Sequence, residues 1–232
     1  MHERRASGSA GYRQPKPPAH GLSGTGLVAD DLYLLGHDDR TGKPLLQPRA
    51  LGTGLAGALL AELMLAGWIA LRPDSAIVIG RDAPRAAAGR HPLLKQIAAE
   101  PGPQPVPSWL RFLATTAARE VAMRLEQAGY LKHVRSRVPW RQGQWVPVNS
   151  EWAFAPMLRV GNALDPARPV TVHAAALAGL AVACGLGFRL HFYQIPARRP
   201  VQDAVAVLEP GLQELIAQTQ TAVDSVVLSH RT

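Results

Sequence analysis

A long and almost uncharged segment in the first third of the chain limits what the protein can fold into. Residues 51–66 are rich in Ala and Leu, contain Glu62 as their only charged residue, and are followed by Gly67. Ala and Leu favour helices, and Gly commonly ends them. A helix that is apolar on almost every side must be covered by other elements. The segment therefore predicts a core helix around which the rest of the fold is arranged.

A second uncharged segment predicts another core helix. Residues 170–188 contain no Asp, Glu, Lys or Arg and approach the length of a membrane span. They are rich in Ala and Gly and include His173, so their transfer into a bilayer is only weakly favoured. We therefore predict a buried helix over residues 170–184, and we expect any membrane contact to be peripheral.

The remaining patterns predict a mainly α protein with two short β-hairpins. β-prone runs on both sides of residues 72–75 predict one hairpin, and those around residues 141–144 predict the other. The apolar run 32–35 fits either a helix or a short strand. With 232 residues, the chain supports one substantial core, so we expect a single globular domain with amphipathic helices around a helical centre. Further helices are predicted over residues 91–99, 108–127, 201–208 and 211–228.

The N-terminal residues differ in composition from the rest of the chain. Residues 1–26 are rich in Gly, Ser, Pro and basic residues and show no hydrophobic period. Such a segment buries too little apolar area to offset the entropy lost on ordering. We predict a disordered basic arm over residues 1–26 and a folded domain over residues 27–232.

Positive charge is concentrated in the middle of the chain. The formal net charge is +8, and residues 109–141 contain seven basic residues against Glu120 and Glu126, which leaves a surplus of five. Such a cluster favours anionic partners, which include phospholipid headgroups, nucleic acid and acidic proteins. A basic surface that is simply solvated is the alternative. The basic residues are Arg111, Arg119, Arg124, Lys132, Arg135, Arg137 and Arg141.

No pattern in the sequence indicates an enzyme. The chain has no His-x-x-x-His zinc pair, no Gly-rich phosphate loop followed by Lys-Ser or Lys-Thr, and no nucleophile elbow. Cys184 is the only cysteine, so no intrachain disulfide can form, and a reducing, cytoplasmic compartment is expected. Because Cys184 lies in an apolar segment, it is expected to be a structural thiol. We predict no catalytic residue and no cofactor.

Acidic and histidine residues do not suggest a metal site. The acidic residues near the start of the domain lack EF-hand spacing and are expected in a solvated turn and a helix cap. His173 and His191 are far apart in the sequence and have no acidic residues near them, so core or surface positions are expected for both. No bound metal is predicted. These residues are Asp30, Asp31, Asp38, Asp39, His173 and His191.

Two segments resemble the Golgi phosphoprotein 3 family. They are the Asp-Leu-Tyr-Leu-Leu run at residues 31–35 and the Gly-Leu-Ala-Gly segment at residues 54–67, which runs into Ile69–Leu71. The order of later elements also fits, and the resemblance covers roughly residues 28–228. It implies a mainly helical domain.

Eukaryotic members bind phosphatidylinositol 4-phosphate, oligomerise through a hairpin, and connect Golgi membranes to glycosyltransferase tails. The short loops and high Arg, Ala and Gly content are similar to bacterial, actinobacterial-type members, to which the Golgi trafficking role does not transfer.

The headgroup residues that the resemblance implies are only partly present. The family's Trp and Arg near the central helix are replaced by Gln47 and Ala56. The arginines of the later helix are represented by Arg119, with Thr116 where a partner Arg is expected. We therefore expect this protein to bind phosphatidylinositol 4-phosphate more weakly than its eukaryotic relatives do.

Neighbouring arginines are expected to complete the site. A phosphate monoester is best held by several Arg donors that converge on it. On a regular helix, Arg111 and Arg119 lie on nearby sides, whereas Arg124 points away. We predict a lipid headgroup site formed by Arg119, Arg111 and Arg49, with surface arginines that bind nothing as the alternative.

The second predicted hairpin has the composition of an interface element. Tryptophan rings beside cations suit the headgroup region of a membrane. Exposed tryptophans also suit contact with a second subunit, the role of the hairpin in the resembling family. We predict a membrane or oligomer hairpin formed by Trp140, Arg141, Trp145, Arg135 and Arg137.

Taken with the resemblance, these features predict a cytoplasmic, peripheral membrane protein that binds phosphatidylinositol 4-phosphate or a related anionic headgroup. Its expected role is that of a non-catalytic adaptor that self-associates. A scaffold for acidic protein partners and a nucleic-acid-binding protein are the alternatives. No specific nucleic acid is expected, because the chain is poor in aromatics and lacks helix-turn-helix spacing.

Overall fold

The computed structural model describes residues 21–84, 91–135, 143–192 and 199–229. These residues form ten α-helices and two small antiparallel sheets, which confirms the predicted mainly α class. The helices are α1 Val28–Leu35, α2 Pro48–Leu65, α3 Pro92–Ala99, α4 Val106–Leu113, α5 Ala117–Gln127, α6 Ser150–Ala163, α7 Val172–Ala183, α8 Gly187–Phe192, α9 Val201–Val205 and α10 Pro210–Leu228. The strands are β1 Ile69–Leu71, β2 Ala76–Ile79, β3 Gln104–Pro105, β4 Leu131–Val134 and β5 Gln144–Pro147.

Helix α2 lies at the centre of the fold, as its composition predicts. It packs against α1, α4, α5, α7 and α10, and most of its residues are buried. It begins at Pro48, slightly before the predicted start, because proline suits the first helical turn. It ends just before Gly67, which has the positive φ of +71° that glycine adopts easily.

The second uncharged segment also forms a core helix. Helix α7 packs against α1, α2, α6 and α10, and nine of its residues are buried. Thr171 caps it, with a side-chain oxygen that accepts from the backbone N–H of Ala174. Among the described residues, no helix combines the length and the apolar character needed to cross a membrane.

Both predicted hairpins are present. Strands β1 and β2 pair on either side of residues 72–75, and β3 adds a third strand that the pattern did not predict. Strands β4 and β5 pair with Leu131 opposite Pro147 and Val134 opposite Gln144. Residues 136–142, which come between β4 and β5 in the sequence, lie outside the described residues, and they include Arg137, Trp140 and Arg141.

The predicted continuous helix over residues 108–127 is wrong, because two helices, α4 and α5, meet there at a short turn. The Thr115 hydroxyl donates to the carbonyl of Phe112 at 3.0 Å and competes with the helical hydrogen bonds. The break lies where the backbone of α2 contacts it: a Cβ on Gly52 would lie 2.2 Å from the carbonyl oxygen of Ala114. Helices α6 and α8 were also not predicted.

Candidate functional site

Three arginines predicted to hold a headgroup lie at helix ends on one part of the fold. Arg49 is in the first turn of α2, Arg111 in the last turn of α4, and Arg119 in the first turn of α5. All three are exposed. Within the described part of the chain, no carboxylate forms an ion pair with any of them. We refer to Arg49, Arg111 and Arg119 as the three-arginine surface.

The close contact between Gly52 and Ala114 is what brings these helix ends to one region. Arg49 precedes Gly52 by three residues, Arg111 precedes Ala114 by three, and Arg119 follows it by five. The absence of a side chain at position 52 lets the backbone of α2 reach the α4–α5 turn. Because the contact depends on backbone approach, a larger residue at position 52 would separate the elements that carry the three arginines.

Two helix N-termini add to the positive potential here. Gln47 precedes α2 and Thr116 precedes α5, and neither side chain caps its helix with a hydrogen bond. The first N–H groups of a helix carry a partial positive charge that favours anions. Glu120 in the first turn of α5 offsets part of this charge, whereas the first turn of α2 contains no acidic residue.

The positions that depart from the family pattern differ in exposure. Gln47 and Thr116 are exposed beside the three-arginine surface. Ala56 is fully buried in α2 and contributes nothing to that surface. The prediction of a headgroup site therefore rests on Arg49, Arg111 and Arg119 alone.

Two other arginines, Arg124 and Arg159, are neutralised by buried carboxylates. We call these arginines and the residues that contact them the paired-arginine cluster. Its members are Asp30, Asp31, Glu62, Arg124, Arg159 and His173. The Nε of Arg124 donates to Asp30 at 2.7 Å, and its two terminal nitrogens donate to Glu62 at 3.0 and 2.9 Å. This two-pronged geometry is the strong form of an arginine–carboxylate pair. Arg124 is thus held by carboxylates of its own domain, a pairing that the sequence did not predict. The prediction that Arg111 and Arg119 lie on nearby sides assumed one continuous helix, and it does not apply to the two separate helices α4 and α5.

The other half of the paired-arginine cluster is built around Asp31. The Nε of Arg159 donates to Asp31 at 2.7 Å, and the Nε2 of His173 lies 3.0 Å from the same carboxylate. A terminal nitrogen of Arg159 also donates to the carbonyl of Leu22 at 2.9 Å, and the Thr25 hydroxyl donates to Asp30 at 2.6 Å. Residues 22–25, assigned to the arm from composition, therefore contact the domain. Residues 1–20 lie outside the described residues, so the arm stays a prediction there.

Burial and pairing act in opposite directions on the ionisable groups of this cluster. Burial raises the pKa of Asp30 and of Glu62, and the neighbouring Arg124 guanidinium opposes the rise. Burial acts to lower the pKa of Arg124, but hydrogen bonds and attraction from Glu62 and Asp30 outweigh it, so its pKa is raised. Arg124 thus stays charged and is occupied by these carboxylates.

The expectation that Asp30 and Asp31 are solvated is wrong, because both are buried, although they lie in the first turn of α1, close to the predicted helix cap. His173, which has no acidic neighbour in the sequence, contacts Asp31 in the fold. The partners lie far away along the chain, which is why spacing did not reveal them. A detectable signal was that the two aspartates lie inside an apolar run. Asp38 matches its expectation, because it accepts from the backbone N–H groups of Arg40 and Thr41 in an exposed turn.

The second hairpin packs on its own domain through Trp145. Its indole N–H donates to Glu126 at 3.0 Å, its ring centroid lies 4.9 Å from that of His133, and the ring is partly buried against the core. Arg135 is exposed. The membrane or oligomer role assigned to this hairpin stays a prediction, and its other residues lie outside the described ranges.

Nucleophilic and metal chemistry find no support among the described residues. Burial raises the pKa of the Cys184 thiol to about 12, so it is protonated at neutral pH. Its sulfur packs directly beside Gly54, where an added Cβ would lie 2.1 Å away. No group of three or more His, Cys, Asp or Glu residues in the described ranges is arranged to hold a metal ion.

The comparison with known proteins identifies the family. The family model of Golgi phosphoprotein 3 (GPP34) matches residues 28–226, and the chain belongs to this family. The match begins at the first residue of α1 and ends within α10, so it includes both arginine regions. No curated protein matches the chain significantly. The family is not known as a family of enzymes.

Proposed function

We propose that this protein binds a phosphoinositide headgroup, phosphatidylinositol 4-phosphate or a related anionic one, at a membrane surface through the three-arginine surface. It acts in the cytoplasm as a peripheral, non-catalytic adaptor. The observation that carries this proposal is that Arg49, Arg111 and Arg119 are exposed on helix ends that meet at the Gly52–Ala114 contact, and that no carboxylate in the described ranges pairs with them. Membership of the Golgi phosphoprotein 3 family supports it.

The chemistry of a monoester phosphate suits this surface. The headgroup carries clustered negative oxygens, and arginine forks bind such oxygens by charge-assisted hydrogen bonds. Since no described carboxylate pairs with these arginines, binding does not have to break an existing ion pair. Each cation near an anionic bilayer adds about 1 kcal/mol of attraction.

Vesicle sedimentation tests the proposal. Wild-type protein is expected to bind vesicles that contain phosphatidylinositol 4-phosphate more tightly than vesicles with an equal charge from phosphatidylserine. Arg119→Ala should abolish that preference and weaken binding by about 1.5–3 kcal/mol, the value of a charge-assisted hydrogen bond. Arg81→Ala is the matched control: Arg81 is exposed and follows Gly80, which packs at the opposite end of α2.

The Arg81→Ala control also distinguishes binding at a specific site from attraction by the net positive charge of the protein. Loss of binding by Arg119→Ala and Arg81→Ala to the same extent would show that only net charge matters. If wild-type protein ignores phosphoinositide vesicles at low salt but binds DNA or an acidic peptide at the same ionic strength, the lipid proposal is wrong. The nucleic-acid or acidic-partner alternative would then replace it.

The basic residues of the second hairpin are proposed to add attraction without selectivity. Lys132 and Arg135 are exposed on or just after β4. Arg135→Ala should weaken binding to every anionic vesicle alike and reduce its dependence on salt. Self-association through the same hairpin predicts a mass above that of one chain in light scattering. Trp140→Ser should then lower that mass while the circular dichroism spectrum is unchanged.

A further inference from the structure

We infer that Phe112 is a membrane anchor that enters the bilayer interface beside the three-arginine surface. The inference rests on the proposed function and adds an apolar contact to it. Phe112 follows Arg111 in the last turn of α4 and is 56% exposed. Among the described residues, it and Phe188 are the aromatic side chains that are largely exposed.

The rest of α4 shows that this exposure is not part of the folding pattern. Val106, Trp109, Leu110 and Leu113 form its buried side. Phe112 lies outside that stripe, so the core does not account for its apolar ring. The ring meets that of Trp109 edge to face, with centroids 5.9 Å apart at an interplanar angle of 84°. Since Trp109 is buried, this contact limits the directions that the Phe112 ring can adopt.

The surroundings of Phe112 favour a bilayer over a protein partner. Successive helical residues are about 100° apart, so Arg111 presents a cation on the neighbouring side of the same turn. Exposed Thr115 and Thr116 follow, then Arg119. A protein interface needs a contiguous apolar centre, which one ring among polar neighbours does not provide. A bilayer needs only a ring at interface depth with cations at the level of the phosphates.

The Phe112 ring sets the depth at which the protein binds the membrane. Arg49, Arg111 and Arg119 attract the protein to any anionic surface, but exposed charges act over a distance and do not set depth. An apolar ring gains free energy only when it leaves water. After the arginines have attracted the protein to the membrane, the Phe112 ring therefore inserts into the bilayer interface and holds the arginines at the depth of the headgroups.

Vesicle binding by two matched variants tests the inference. Phe112→Ser should weaken binding to vesicles that contain phosphatidylinositol 4-phosphate by about tenfold, the change expected when roughly half of a Phe side chain no longer leaves water. Phe188→Ser is the control, because Phe188 is similarly exposed at 53% but lies on α8. It should change binding less than twofold. Thermal unfolding of both variants checks that the fold is intact.

A site-specific label supplies a second measurement. Cys184 is buried, so a cysteine placed at position 112 or 188 can be labelled selectively with an environment-sensitive dye. On vesicles, a dye on Phe112→Cys should shift to shorter wavelength and be quenched by brominated acyl chains, and a dye on Phe188→Cys should not. The inference is overturned if the dye at position 112 stays in water while wild-type protein binds vesicles with headgroup preference.

The same experiment distinguishes the two levels of failure. Binding by Phe112→Ser equal to wild type overturns the anchor and leaves the proposed function intact. Absence of vesicle binding by wild-type protein overturns both. Shielding of the dye that grows with protein concentration in the absence of vesicles would assign Phe112 to contact between copies of this chain and overturn the anchor.

Discussion

The three-arginine surface and the paired-arginine cluster use the same side chain in opposite ways. Arg119 and Arg124 lie on the same helix, α5, yet Arg119 is exposed without a described carboxylate partner, whereas Arg124 is shared between Asp30 and Glu62. One is available to a ligand, and the other is occupied by the protein. Which arginines are free depends on where the carboxylates fold, not on how many arginines the sequence contains.

The difference also assigns the two regions to different properties. An arginine held by buried carboxylates contributes to stability, because its removal leaves their charges without a partner. An exposed arginine contributes little to stability and can contribute to binding. Mutations in the two regions should therefore separate the free energy of unfolding from affinity for vesicles.

The largest expected effect is on the paired-arginine cluster. Arg124→Ala leaves Asp30 and Glu62 buried without their cation, and it should lower the free energy of unfolding by about 3–5 kcal/mol. Urea unfolding followed by circular dichroism measures this. If Arg124→Ala is as stable as wild type, the cluster does not hold α1, α2 and α5 together, and the distinction between the two regions disappears.

Acid is the next perturbation, and it should act through His37 and not through Asp30 or Glu62. Asp30 and Glu62 have raised pKa values in the folded state, so acidification does not unfold the protein through them. Burial lowers the pKa of His37 to about 4, and its Nδ1–H donates to the carbonyl of Tyr33 at 2.6 Å. Below its ordinary pKa near 6.5, the unfolded chain binds a proton that the folded protein does not.

The free energy of unfolding should therefore fall as the pH falls from about 6.5 towards 4. Between pH 7 and pH 5, His37 should account for a loss of about 2 kcal/mol. Urea unfolding at several pH values measures this loss. His37→Asn keeps an N–H donor but has no titratable group, so it should remove the part of the pH dependence that His37 causes. An identical pH dependence in the variant would mean that another group titrates.

A smaller effect is expected where the N-terminal residues meet the paired-arginine cluster. Thr25→Val removes the hydroxyl that donates to Asp30 and should lower the free energy of unfolding by about 1.5 kcal/mol, since the acceptor is charged. Thr41→Val is the matched control, because Thr41 makes the same bond to the exposed Asp38. Truncations that begin at residue 21 and at residue 27 should differ in melting temperature, with the longer deletion less stable.

The smallest effect on stability is expected at the three-arginine surface. Arg119→Ala should change the free energy of unfolding by no more than about 0.5 kcal/mol, even though it removes the proposed headgroup preference. Urea unfolding beside vesicle sedimentation gives both numbers for one variant. A loss of several kcal/mol would show that Arg119 has a structural partner and belongs with Arg124.

Much of the fold follows from local pattern. The helix over residues 51–66 and the helix over residues 170–184 were predictable because Ala and Leu favour helices and uncharged segments must be buried. The hairpin on either side of residues 72–75 follows from β-prone runs around a turn. The break between α4 and α5 does not follow from pattern. It depends on the backbone of α2 passing at Gly52, a contact between residues far apart in the chain.

The sequence by itself determined the helical class, the two core helices and the concentration of basic residues between residues 109 and 141. Only the tertiary structure decided that Asp30, Asp31 and Glu62 neutralise Arg124 and Arg159, whereas Arg49, Arg111 and Arg119 have no carboxylate partner in the part of the chain that the structure describes. The physical reason is range. Helix propensity and hydrophobic period act over a few residues, whereas the pairing of a buried charge depends on which distant segments fold against it. Arg124 and Asp30, 94 residues apart in the chain, come within 2.7 Å.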